Sequence, residues 1–108
     1  MNTWHCVAKL SQLPPGSCAS VEAGNHGVAL FNVGGRIYAL NNTCPHAGGP
    51  LGEGVLDGPI VECPWHGWRY DVTTGERPEN PVFKVACYQV EIEGDDIKVL
   101  LPDKVSSF

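Results

Sequence analysis

Apolar and polar residues alternate along most of this chain in short runs with the period of a β-strand. Trp4 to Ala8 and Cys18 to Ala23 alternate in this way, and Pro14-Pro15-Gly16 between them reads as a turn. Val28 to Asn32 and Arg36 to Asn41 are apolar-rich runs on either side of Gly34-Gly35. Two adjacent residues tolerant of positive φ between such runs predict a tight hairpin. Val55-Leu56 and Ile60-Val61-Glu62 flank Asp57-Gly58-Pro59, a second turn, and Trp68 to Val72 runs into Thr73-Thr74-Gly75, a third. The last predicted pair is Lys84 to Glu93 with Ile97 to Leu101, joined through Gly94-Asp95-Asp96, and Lys104 to Phe108 reads as a loose tail. No window carries an i, i+3, i+4, i+7 apolar stripe over three turns, whereas strand signals recur about every ten residues. The pattern therefore predicts an all-β fold, a small sandwich or barrel.

Composition narrows this picture. The chain has 108 residues, which predicts one domain over 1–108 without room for a second, catalytic one. Its 13 glycines and 9 prolines suit short strands and many turns, and they crowd together with Cys and His between about residues 42 and 71. A hydrophobic share of 43% with 18% charged residues excludes a disordered or collagen-like chain. The net charge of −5 repels polyphosphate, so no nucleic-acid partner is expected. No apolar run approaches the ~20 residues that span a bilayer, and Met1 to Leu10 lacks the basic and apolar regions of a secretory signal. A cytoplasmic location without membrane attachment is expected. Five cysteines (Cys6, Cys18, Cys44, Cys63 and Cys87) are an odd set at irregular spacing, a poor disulfide framework for a reducing compartment.

Metal chemistry is the better account of two of them. Cys44-Pro45-His46 is followed, sixteen residues later, by Cys63-Pro64-Trp65-His66. A thiolate is a soft anionic ligand and an imidazole a neutral borderline one, so two of each close a four-ligand site. Both pairs lie in Gly- and Pro-rich loops, where a packing role is unusual, and Asp57-Gly58 between them reverses the chain. Cys6, Cys18 and Cys87 are expected to be small core residues, and His5 and His26 surface or hydrogen-bonded ones. Structural zinc and a two-iron, two-sulfide cluster both accept this ligand set. Zinc modules usually pair Cys with Cys and His with His and end on a helix, whereas here the pairs are mixed and no helix follows. Mixed pairs suit a dinuclear site in which each iron draws one ligand from each loop.

Cys44-x-His46 followed by Cys63-x-x-His66 resembles the Rieske iron–sulfur motif, and Cys63-Pro-Trp-His-Gly-Trp-Arg-Tyr-Asp71 is similar to the second ligand loop of bacterial Rieske ferredoxins and oxygenase Rieske domains. The likeness is strong over residues 40 to 75 and looser elsewhere. It implies an antiparallel β-sandwich carrying a small cluster-binding subdomain at about residues 42 to 71, and one [2Fe-2S] cluster. It also implies that Cys44 and Cys63 hold a buried iron and that His46 and His66 hold an outer one near solvent. Pro45 and Pro64 hold the preceding cysteines extended. Gly48, Gly49 and Gly67 either let backbone N–H groups approach the sulfurs or serve plain turn geometry. Trp65 and Trp68 either shield the cluster or finish the core.

High-potential members of the family carry an extra cysteine in each loop, joined as a disulfide, and a serine whose hydroxyl donates to a sulfide. The matching positions here are Gly49, Trp65 and Trp68, so these features are missing. Tyr70 matches the family's tyrosine that donates to a cysteine sulfur. The resemblance thus implies a potential toward about −150 mV rather than about +300 mV. Such a cluster moves one electron and has no open coordination position. The chain is therefore expected to be a ferredoxin that carries electrons from a flavin-containing, NAD(P)H-dependent reductase to a terminal aromatic-ring-hydroxylating oxygenase, with no substrate site of its own. A monomer is expected for such a shuttle. The alternatives are a Rieske-like small subunit of an assimilatory nitrite reductase, which often lacks the ligands, and a zinc module without redox role. Glu91, Glu93, Asp95 and Asp96 against Lys98 make the last hairpin acidic, either a steering patch for partners or a solvated tip.

Overall fold

The computed structural model describes residues 2–24, 26–44, 48–65 and 67–102. Among these residues ten strands form three antiparallel sheets. They are β1 (Asn2–Lys9), β2 (Cys18–Ala23), β3 (His26–Val33), β4 (Arg36–Asn41), β5 (Val55–Asp57), β6 (Ile60–Glu62), β7 (Arg69–Asp71), β8 (Cys87–Tyr88), β9 (Val90–Glu93) and β10 (Asp96–Pro102). The sheet orders are β1-β10-β9, β2-β3-β4-β8 and β5-β6-β7. Only two 3₁₀ turns, Leu10–Gln12 and Leu51–Glu53, interrupt the strands among the described residues. The expected all-β antiparallel architecture is present. No helix among these residues is long and apolar enough to cross a membrane.

The β2-β3-β4-β8 sheet is the middle layer, because both of its faces are covered. On β3, Val28 and Leu30 point into one core with Ile37, Ala39, Ile97, Val99 and Leu101, while Ala29 and Phe31 point into a second core with Leu40, Leu51, Val61, Tyr70 and Val72. That two-sided burial explains why Val28 to Phe31 is continuously apolar rather than alternating. Each buried Leu, Val, Ile or Phe contributes about 1.5–3 kcal/mol of transfer free energy. The first core joins the middle layer to β1-β10-β9. The second joins it to the small β5-β6-β7 sheet, which carries the Gly- and Pro-rich segment.

The Gly34-Gly35 hairpin forms as expected, with both φ values positive (60° and 101°) and Val33 paired to Arg36. Gly58 at φ 58° turns β5 into β6 in the same manner. Three strand expectations need correction. The first predicted strand runs further, over Asn2–Lys9, because β10 offers pairing partners along its whole length. Trp68 and Val72 fall outside β7, which pairs with β6 only over Arg69–Asp71. Lys84 to Glu93 is not one strand. Cys87 and Tyr88 pair with β4, Val90 to Glu93 pair with β10, and Gln89 crosses between the two sheets. The expected tail from Lys104 to Phe108 lies outside the described residues.

Candidate metal centre

Cys44 follows β4 by three residues and Cys63 follows β6 directly, so each cysteine leaves the end of a strand that faces the second core. Each opens a short loop closed by main-chain hydrogen bonds. In the first loop the Cys44 N–H donates to Gly49 O at 2.9 Å and the Gly48 N–H to Cys44 O at 2.7 Å; in the second the Cys63 N–H donates to Trp68 O at 2.7 Å. Thr43 and Pro50 make a β-bridge that shuts the base of the first loop. Asn42 anchors the segment after it. Its main-chain oxygen accepts from the Leu51 N–H at 2.8 Å, and its side-chain Oδ1 accepts from Gly52 N–H at 2.8 Å and from the Ser20 hydroxyl at 3.2 Å.

The two cysteines are each 1% exposed, and neither is in a disulfide. Burial pushes the Cys63 thiol up; a backbone N–H from Trp65 opposes this, and contact with the Cys44 side chain pushes it up again. Two neighbouring thiols without water are poor anions, and a bound metal cation is the partner that makes their thiolate forms favourable. The Tyr70 hydroxyl lies 3.4 Å from Cys44 Sγ, so the expected tyrosine–sulfur contact is present. Burial, followed by the contact with Cys44, drives the Tyr70 phenol far above its ordinary range, whereas the Arg77 charge pulls it down.

Gly49 is where lack of a side chain matters most. A Cβ there would sit 2.8 Å from Trp65 Cγ and 3.1 Å from Cys63 Sγ, so only glycine lets the first loop close over the second. The positions at which high-potential relatives place a disulfide are therefore in contact here, as a glycine against an indole. Gly48 and Gly67 adopt positive φ (76° and 71°), which is the turn role. Trp68 completes the second core, with Phe83 edge-on at 5.1 Å, whereas Trp65 is 50% exposed.

Of the four candidate ligands the structure brings Cys44 and Cys63 together; His46 and His66, like Pro45, lie outside the described residues. The donor set that is described, two buried thiols sharing a glycine-lined cradle, fits an iron–sulfur cluster. Two of the other cysteines correct the expectation of core roles, whereas Cys18 packs against the second core as expected. Cys6 and Cys87 are exposed and Cys18 is half-buried. Cys6 lies on the outward side of the edge strand β1, and Cys87 opens β8, the short edge strand by which the chain enters the middle sheet. His26 is hydrogen-bonded, with Nε2 3.0 Å from Pro102 O. The sequence reading missed Asn42 and the Arg77–Trp68–Phe83 stack; a polar run at Asn41-Asn42-Thr43 is the only local signal for the first, and the second has none.

The chain matches the Rieske [2Fe-2S] domain family over residues 3–98. It is 36% identical over 99 residues to the ferredoxin component of the naphthalene 1,2-dioxygenase/salicylate 5-hydroxylase systems of Ralstonia sp., covering 91% of this chain and 93% of that protein. Among solved structures it is similar to the ferredoxin of carbazole 1,9a-dioxygenase from Nocardioides aromaticivorans, with TM-score 0.81, 34% identity, and 93% and 98% of the two chains covered. It is also similar to a chain in the complex of reduced oxygenase and oxidized ferredoxin in carbazole 1,9a-dioxygenase, with TM-score 0.83, 32% identity, and 95% and 97% covered.

Proposed function

Because the chain belongs to the Rieske [2Fe-2S] domain family, we propose that it is a one-electron carrier, a ferredoxin serving a terminal aromatic-ring-hydroxylating oxygenase and itself reduced by a flavin-containing, NAD(P)H-dependent reductase. Cys44, His46, Cys63 and His66 would hold one cluster through two thiolates and two imidazoles. The cluster supplies one-electron oxidation and reduction. The observation that carries this reading is the pair of buried cysteines without a disulfide, meeting at the bases of two closed loops with the Tyr70 hydroxyl on one sulfur. The protein residues exclude water on the cysteine side, hold the thiols in place and donate hydrogen bonds to them. Relatives named as ferredoxin components, matched along more than nine-tenths of both chains, support the carrier role over that of catalyst. The solved complex of an oxygenase with a ferredoxin supports the choice of partner.

We further assign residues 1–108 to one domain with the cluster-binding part at about 42 to 71, a monomeric state and a cytoplasmic location. The retained Cys44, His46, Cys63 and His66 favour a redox carrier over a ligand-free nitrite reductase subunit. Chemical analysis tests the centre: two irons and two acid-labile sulfides per chain, with a rhombic paramagnetic signal on reduction, are expected. One zinc and no visible absorption would refute it. Cys44→Ala or Cys63→Ala abolishes assembly, whereas His46→Cys changes the spectrum and potential. Reconstitution of oxygenase turnover from purified reductase, this protein and oxygenase tests the partners; turnover that does not depend on this protein removes them.

A further inference from the structure

Arg77 lies beyond the second candidate ligand loop, and its charge is held from several sides. The guanidinium carbon is 3.7 Å from the centre of the Trp68 ring, and Phe83 packs edge-on against the same ring. The backbone there is tied down, with the Arg77 N–H donating to Phe83 O at 2.9 Å and the Asn80 N–H to Arg77 O at 3.0 Å. Glu79 approaches Arg77 Nε only to 3.8 Å and makes its hydrogen bond, at 3.0 Å, with Arg69 instead. Among the described residues the Nε is therefore buried without a hydrogen-bond partner. A buried donor left unmet is costly, which makes it unusual in a residue that only fills space. Stacking on Trp68 alone would not require a guanidinium in that position.

Trp68 links this charge to the site, because its main-chain oxygen accepts the Cys63 N–H at 2.7 Å. The Arg77 charge is also felt at the Tyr70 hydroxyl, the group in contact with Cys44 Sγ. We infer that Arg77 supplies a fixed positive charge that favours the reduced state of the cluster at Cys44 and Cys63 and so raises its reduction potential. This inference rests on the redox reading of the site proposed above. Two ferric ions, two sulfides, two thiolates and two neutral imidazoles balance in charge. One electron taken up without a proton leaves a net negative charge, which a nearby cation in a poorly solvated place stabilises. Arginine does not lose its proton in proteins, so this contribution does not vary with pH.

The test is a redox titration of the purified holoprotein and its Arg77→Met, Arg77→Lys and Glu79→Gln variants, with iron and sulfide counted in each. Arg77→Met is expected to lower the equilibrium constant for reduction about tenfold, which is 59 mV for a one-electron couple. Arg77→Lys keeps the charge and is expected to stay within about threefold of the parent. Glu79→Gln removes the opposing carboxylate and is expected to move the potential upward. A stack that acts only by packing moves Met and Lys alike and is indifferent to the sign at Glu79; either result overturns the inference. If Arg77→Met fails to fold, Glu79→Gln still decides, since an unmoved or lowered potential refutes the charge. A parent protein without iron and sulfide refutes the redox reading itself, whereas a loaded protein with unchanged potentials refutes only the role of Arg77.

Discussion

A phenol buried among thiols has few partners, and Tyr70 has taken one of the sulfurs. Its hydroxyl is 3.4 Å from Cys44 Sγ in a fully enclosed place. A hydrogen bond to a ligand sulfur draws electron density from it and eases reduction. Tyr70→Phe is therefore expected to retain the cluster, lower the potential and cost about 1 kcal/mol of stability. Redox titration and urea unfolding measure the two effects. Gly49 works by what it lacks. Gly49→Ala places a methyl group 3.1 Å from Cys63 Sγ and 2.8 Å from Trp65 Cγ. A loss of about 1–3 kcal/mol is expected from that overpacking, with lower iron content in the purified protein. Equal iron content and equal unfolding midpoints would show that the loops yield easily.

At the scale of elements, alternation located most strands but not the sheet that each one joins. Alternation reports which side of a strand is buried. It does not report who donates the hydrogen bonds, and so Lys84 to Glu93 read as one strand although Gln89 divides it between two sheets. Cys6 and Cys87 misled for a related reason: residue-type habit places cysteine inside, and the edge strands β1 and β8 place it outside. The proposed metal ligands were legible because their chemistry and spacing lie within short local stretches. Asn42 and Arg77 were not, because Ser20, Trp68 and Phe83 reach them only in the folded chain. The loop before the sheet crossing depends on one glycine. Gly75 has φ 79° and lies so that a Cβ would be 2.3 Å from Val85 O. Gly75→Ala is expected to destabilise by about 3 kcal/mol, from backbone strain and collision together. A urea midpoint within error of the parent would refute this.

For the molecule as a whole, net charge alone is a poor guide to steering. In the acidic last hairpin, Asp96 is paired with Lys9, Glu93 with Lys98, and Asp95 accepts from the backbone and hydroxyl of Ser11. Asp96 fastens β10 to β1, Asp95 ties the hairpin turn to Ser11 just after β1, and Glu93 joins β9 to β10, so these carboxylates are spent within the fold, which favours the solvated tip over a docking patch. The Lys9 hydrogen bond holds the Asp96 carboxyl below its usual range, and Glu79 is held low by its own backbone N–H and by Arg69. Depressed carboxyl values stabilise the fold above about pH 4 and cease to do so as pH falls through the acid range. All these groups are exposed, so a small acid-side loss of stability is expected that shrinks further in high salt. Thermal unfolding between pH 3 and 7 at two salt concentrations measures it; a loss that grows with salt would contradict it.

The pairing of β1 with β10 joins Asn2 to Pro102 and Lys9 to Asp96, strands from opposite ends of the described chain. During synthesis, β1 leaves the ribosome well before β10, the partner that it waits for. Until then its hydrogen-bonding edge is bare, and so is the apolar face that Ile97, Val99 and Leu101 complete. Closure across so much intervening chain belongs to the slow folding regime, milliseconds to seconds rather than microseconds. The interval before β10 emerges is accordingly when the nascent protein is most open to wrong pairing with its neighbours.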